Sequence, residues 1–184
     1  MKRVTILICF LFYSLFAVAQ KRVNAGIGYF GENISNPGIV LEFEYEKMHA
    51  LDYSIPIRSD LGFHSNSDFN AITFDVHTGF RKYFESGLSL EQSIGVGLIA
   101  KNFKTDMWFF DDYGYNIPHG GKTVVGFMPS VTMGAGYNIG KEKEAIDLIW
   151  IRPKVYWDLG FRPLNLPYWA LQIGFTHTFK SKSL

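Results

Sequence analysis

Residues 39 to 46 read Ile39-Val40-Leu41-Glu42-Phe43-Glu44-Tyr45-Glu46. Successive side chains of a β-strand point to opposite faces, so Ile39, Leu41, Phe43 and Tyr45 share one face while Glu42, Glu44 and Glu46 share the other. Such a strand separates an apolar from a charged environment. The same period of two continues on both sides, through segments at roughly 22–31, 38–46, 52–64, 70–83, 88–102, 122–138, 146–160 and 168–180. In the third, Tyr53, Ile55, Ile57, Leu61 and Phe63 oppose Arg58, Asp60, Gly62 and His64. In the sixth, Val125, Phe127, Val131, Met133, Ala135 and Tyr137 oppose Gly126, Ser130, Thr132, Gly134, Gly136 and Asn138. The second face reads as consistently small or polar. Several segments exceed the five or six residues usual in soluble sheets.

Eight amphipathic strands close into a barrel of either sense. The apolar face turns inward around a ligand in a soluble, lipocalin-like carrier, and outward towards lipid in a membrane barrel. Two patterns favour the outward sense. Glycines, among them Gly26, Gly28, Gly62, Gly79, Gly95, Gly97, Gly134 and Gly174, concentrate on the polar face, where a narrow interior needs small residues. The apolar face carries Tyr29, Tyr45, Tyr53, Phe63, Phe80, Phe127, Tyr137, Trp157, Trp169, Phe175 and Phe179, most of them near strand ends, as interfacial aromatic girdles require. In hydrocarbon an open sheet edge would leave backbone groups unsatisfied at several kcal/mol each, so closure is obligatory. The connections agree: those at 47–51, 84–87 and 139–145 are compact, whereas 103–121 runs to 19 residues, the short-inside, long-outside pattern of an even-stranded barrel.

Some residues sit awkwardly. Gln92 falls on the apolar face, and Pro56, Pro129 and Pro153 fall within strands, where each deletes a ladder donor and is expected to mark a bulge or a boundary. Lys82 and His177 also face outward, but near the inner membrane edge, where a charge costs only about 0 to 1 kcal/mol.

The chain begins Met1-Lys2-Arg3, continues in an apolar run from Val4 to Phe16 and reaches Ala17-Val18-Ala19, the three-part layout of a secretory signal peptide cleaved before Gln20. The run is shorter than a spanning helix requires. Expected domains are therefore a signal peptide at 1–19 and one barrel at 20–184. Cys9 lies in the leader, so the mature part has no disulfide and no thiol nucleophile. Over the 184 residues, 47% hydrophobic and 19% charged, Lys plus Arg number 18 against 17 Asp plus Glu, a balance that gives no reason to expect nucleic acid.

With these features the chain resembles the small eight-stranded outer-membrane barrels of Gram-negative bacteria. The resemblance rests on the leader, the alternating strands and the last strand, Leu171-Gln172-Ile173-Gly174-Phe175-Thr176-His177-Thr178-Phe179, which looks like the C-terminal signal read by the barrel-assembly machinery. In the family an aromatic residue usually ends the chain; here 180–184 follow. The fold class is thus an all-β, eight-stranded, antiparallel up-and-down transmembrane barrel. The resemblance implies an outer-membrane location, with that membrane's lipid, including lipopolysaccharide, and the assembly machinery as partners.

Turned inward, the polar face gathers Glu42, Glu44, Glu46, Asp60, Asp75, Glu91 and Asp158 with Arg58, Arg81, Lys101, Arg152 and Lys154, beside His64 and His77. Unpaired buried charges are heavily penalised, so an ion-pair network is expected, acting as a plug; a proton path or a catalytic carboxylate pair is the sharper alternative. The connection 103–121 exposes Trp108, Phe109, Phe110, Tyr113 and Tyr115 for contact with lipopolysaccharide sugars or a surface partner, or as a lid over the mouth. Some barrels of the resembled kind are lipid A deacylases with a His and, two residues later, a Ser. Here Ser65 directly follows His64, which places the two side chains on opposite faces of a strand. The acids lack calcium-loop spacing and the histidines lack zinc spacing, so neither a metal, a cofactor nor a catalytic residue is expected. The expectation is a monomeric, non-enzymatic barrel with an envelope-structural or surface-interaction role, the alternatives being a lipid A modifying hydrolase and a soluble carrier of an apolar ligand.

Overall fold

A computed structural model describes residues 21–33, 36–48, 52–104, 108–110, 116–118, 123–140, 147–159 and 167–179. The expected leader at 1–19, Tyr113, Tyr115 and 180–184 lie outside the described residues. The strands are β1 (Lys21–Glu32), β2 (Asn36–Met48), β3 (Tyr53–Ser65), β4 (Phe69–Tyr83), β5 (Leu88–Phe103), β6 (Trp108–Phe110), β7 (Asn116–Pro118), β8 (Thr123–Asn138), β9 (Asp147–Trp157) and β10 (Pro167–Phe179). Eight of them close in the order β1-β10-β9-β8-β5-β4-β3-β2. Closure is antiparallel, with β1 meeting β10 from Val23↔Phe179 to Glu32↔Ala170. The eight segments read from the alternation are the eight barrel strands.

Within the long connection, β6 and β7 pair as a separate two-stranded hairpin that the sequence did not announce. Three residues a side are too few for a readable period. Both chain ends of the barrel lie at the end called inner here. At the outer end the β3–β4 turn is also tight: the Asn66 Oδ1 accepts from the backbone N–H of Asp68 and Phe69 at 2.8 Å each. The β1–β2 turn places Asn33 at φ 49°, a conformation Asn tolerates well among non-glycine residues, and its N–H donates to the Trp169 carbonyl at 2.7 Å. Only the connections leaving β5 and β9 are long outside.

The apolar face is the outer wall. Ile94 is 66%, Met133 62% and Trp169 61% exposed, while Glu44 and Asp75 are fully buried within. This overturns the apolar-in arrangement a soluble carrier would need. Lys82 stands at the inner edge with its Nζ 5.0 Å from the Tyr53 ring centroid, and His177 there bonds Asp147 at 2.6 Å. The inner face, in turn, is not uniformly small or polar: Phe30, Val40, Ala71, Ile99, Met128, Trp150 and Tyr156 are buried inside, most of them towards the outer end.

The prolines have separate explanations. The β3–β4 register skips Ile55 and Pro56 between Ser54↔Arg81 and Ile57↔Thr78, and β8–β9 skips Pro153 between Thr132↔Lys154 and Ala135↔Ile151. The register resumes unshifted each time, so these are missing rungs, not bulges. Pro129 precedes the first β8–β9 pair, Ser130↔Tyr156, where no ladder donor is required.

Candidate functional site: the charged lumen and its outer mouth

Alternate positions of each strand face the lumen, and closure brings together polar groups far apart in sequence. Nearest the inner end, Arg81 of β4 grips Glu44 of β2 with two bonds of 2.7 Å, and Asn24 adds a third to the same carboxylate at 2.7 Å. Tyr83 donates to Glu46 at 2.6 Å, and Ser54 donates to the same oxygen.

Glu91 of β5 is the hub of the next level. It lies 2.8 Å from Arg58 Nη1, 2.5 Å from Arg81 Nη2 and 2.6 Å from Arg152 Nε, so three guanidinium groups converge on one carboxylate. Each keeps a second acid: Arg58 has Asp60 at 3.1 Å, Arg81 has Glu44, and Arg152 is ion-paired with Glu42. The Arg152 guanidinium also stacks over Trp150 at 3.9 Å. The indole fits because Gly28 of β1 and Gly174 of β10 lie beneath it; a Cβ at Gly174 would come 2.5 Å from the ring.

Further out, Asp75 is bound by both Lys154 and His77. Asp60, Asp75 and His77 bring possible metal-ligand atoms within 4.8 Å of one another. Lys154 on Asp75 and Arg58 on Asp60 already supply the positive charge there, so the geometry is that of an ion-pair centre. At the outer mouth, Tyr156 donates to Glu32, and His64 Nε2 lies 3.3 Å from the same carboxylate. His64 stacks on Phe30 at 5.1 Å and meets Phe69 edge-on at 6.0 Å, while Lys101 pairs with Asp158 at 3.0 Å.

Of the residues singled out from sequence, Glu42, Glu44, Arg58, Asp60, Asp75, Arg81, Glu91, Arg152, Lys154 and Asp158 all lie inside the barrel. Trp108, Phe109 and Phe110 form β6 in the long connection. Glu32 falls one residue beyond the first alternating segment, which ends at Gly31, and so is not among the residues the sequence singles out. Trp150 and Tyr156 have the same inward parity as Arg152 and Lys154, a signal that outweighs their size. His64 is buried, while the neighbouring Ser65 hydroxyl donates to Asn70 Oδ1 at 2.7 Å and accepts from Lys104 Nζ at 2.9 Å. The two do not form a base–nucleophile pair. A lumenal void lined by Asn24, Glu44, Arg81, Tyr83 and Arg152 measures about 10 Å³, the room of a single water.

The closed ring of eight strands, apolar outside and ion-paired within, is the fold of the small outer-membrane barrels. Solved structures that share it include two bacterial proteins. Neisserial surface protein A (NspA) superimposes with a TM-score of 0.56 at 10% identity, over 90% of this chain and all of that one. Ail, the attachment invasion locus protein of Yersinia pestis, solved with the heparin analogue sucrose octasulfate, gives 0.55 at 10% identity over 89% of this chain and all of its own. No protein-family model and no curated protein matches the chain.

Proposed function

We propose that this chain is a non-enzymatic outer-membrane barrel that stiffens the envelope and presents its outer connections, above all 104–122, to a partner at the cell surface. The observation that carries the reading is the interior: charged side chains from β1, β2, β3, β4, β5 and β9 interlock across the lumen and leave, at the void beside Arg81, space for one water. A barrel filled in this way is a rigid mount. The surface function then belongs to the connections.

The partner's chemistry follows from the long connection itself. Between 104 and 122, Asp106, Asp111 and Asp112 outnumber Lys104 and Lys122, while Trp108, Phe109, Phe110, Tyr113 and Tyr115 supply flat apolar area. Aromatic faces with acids suit neutral sugar rings, such as those of lipopolysaccharide, better than a polyanion like the heparin analogue bound by Ail. Replacing 104–122 with the tight Asn66-Ser67-Asp68 turn provides the test. The trimmed barrel is expected to fold and to lose binding of purified lipopolysaccharide; binding equal to that of the intact chain would refute the reading.

A further inference from the structure

A polar side chain outside the lumen network lies on the opposite side of the wall. Gln92 projects outward from β5, flanked across the ladder by Phe80 of β4 and Met133 of β8. Along its own strand Leu88 and Leu90 precede it and Ile94, Val96 and Leu98 follow, all exposed on the same face. At roughly 3.3 Å per residue and a strand tilt near 40°, the carboxamide sits about 10 Å above Leu88 along the barrel axis, inside the apolar belt. No described residue bonds the side chain.

The wall around it is the least complete part of the barrel. The missing rung at Pro56 falls opposite Gly79, and the one at Pro153 falls opposite Met133, so the two gaps flank Gln92. A groove of about 390 Å³ lies here, lined by Thr78, Phe80, Gln92, Ile94, Val131 and Met133. A second groove of about 400 Å³, sharing Thr78 and Ile94, continues it towards Ile57 and Val96.

A carboxamide in hydrocarbon carries a strong penalty until its donor and acceptor are both met, and acyl chains meet neither. An identical carboxamide meets both. Two copies inserted in the same direction are related by a two-fold axis along the membrane normal, which sets each Gln92 at the same depth as the other. We propose that the β4–β5–β8 wall is a self-association surface, on which two copies of this chain pair within the bilayer through a reciprocal Gln92–Gln92 hydrogen bond, with Phe80 and Met133 of each seated against the groove of the other. The proposal rests on the strands crossing a bilayer, and it departs from the monomer expected from sequence.

The mature chain has no cysteine, so Ser86→Cys, in the exposed β4–β5 turn at the inner end, gives a single labelling site away from the wall. Donor- and acceptor-labelled mature chain is reconstituted alone in phosphatidylcholine vesicles, and a shift in gel mobility on boiling verifies insertion. Energy transfer is then followed as the protein is diluted with lipid. Transfer is expected to persist beyond the dilution at which random encounters vanish, and Gln92→Leu, an apolar side chain on a lipid-facing position, is expected to weaken association about fivefold. Inserted protein with no such transfer, or with transfer indifferent to Gln92→Leu, overturns the proposal. Protein that fails to insert overturns the membrane-spanning reading instead, and the mobility shift separates the two failures.

Discussion

Replacing Glu91 with Gln tests the central ion-pair level most sharply. The substitution keeps the shape of the side chain but removes the charge on which Arg58, Arg81 and Arg152 converge at 2.8, 2.5 and 2.6 Å. Each guanidinium retains another carboxylate, so the loss falls short of three full charge-assisted interactions, which at about 1.5 to 3 kcal/mol apiece would total about 4.5 to 9 kcal/mol, comparable with the whole stability of a small domain. Breaking buried ion pairs by removing one partner costs about 3 to 5 kcal/mol, and a loss towards the lower end is expected here. Equilibrium unfolding in urea, with the barrel inserted in phospholipid vesicles, reads the difference. Glu85→Gln, in the exposed turn after β4, serves as the control and is expected to change stability by less than about 0.5 kcal/mol. Adding Arg58→Met to Glu91→Gln also strips Asp60 of its guanidinium, so the double variant is expected to be less stable than Glu91→Gln alone, yet by less than the sum of the two single losses, because the Arg58–Glu91 pair is counted in both. A Glu91→Gln effect below about 1 kcal/mol, or a double variant as unstable as the sum of its parts, would refute the convergent geometry.

Three further outcomes follow from the same structure. Gly174→Ala places a methyl group 2.5 Å from the Trp150 ring and 2.7 Å from the Ile27 carbonyl, and is expected to lower stability by about 1 to 3 kcal/mol in the same urea titration. Val96→Arg, at the middle of the outward face of β5, is expected to cost about 2 to 4 kcal/mol in a bilayer, and Leu88→Arg, at the inner edge, about 0 to 1; equal costs would contradict the depth assigned to the two positions. Mass spectrometry of lipid A from cells with and without the chain is expected to show the same acylation, since Ser65 is held by Asn70 and Lys104 and faces away from His64; loss of an acyl chain would establish a hydrolase.

The alternation of Leu41, Phe43 and Tyr45 with Glu42, Glu44 and Glu46 is enough to recover the strands, and glycine and aromatic placement recovers the sense of the barrel. Parity alone also puts Arg58, Arg81, Glu91 and Arg152 on one side of the wall. It does not pair them. Glu42 and Arg152 are 110 residues apart and meet only through the stagger that closure imposes, which no local pattern encodes. The seat of Trp150 depends on Gly28 and Gly174 standing opposite each other in the β1–β10 register, a relation visible only once the ring is closed. Parity also puts Trp150 and Tyr156 inside, in step with Arg152 and Lys154, against the expectation that the second face is consistently small or polar. Gln92 and the prolines, exceptions to the pattern, mark the wall where rungs are missing.

The most direct measurement is the behaviour of the mature chain in a membrane. After expression with its leader, the protein is extracted with alkaline carbonate and then run on a detergent gel with and without boiling. Retention in the membrane pellet, with faster migration of the unboiled sample, is the expected result for a closed barrel whose apolar wall faces lipid. A chain released into the wash, monodisperse without detergent and unchanged in mobility on boiling, would contradict it.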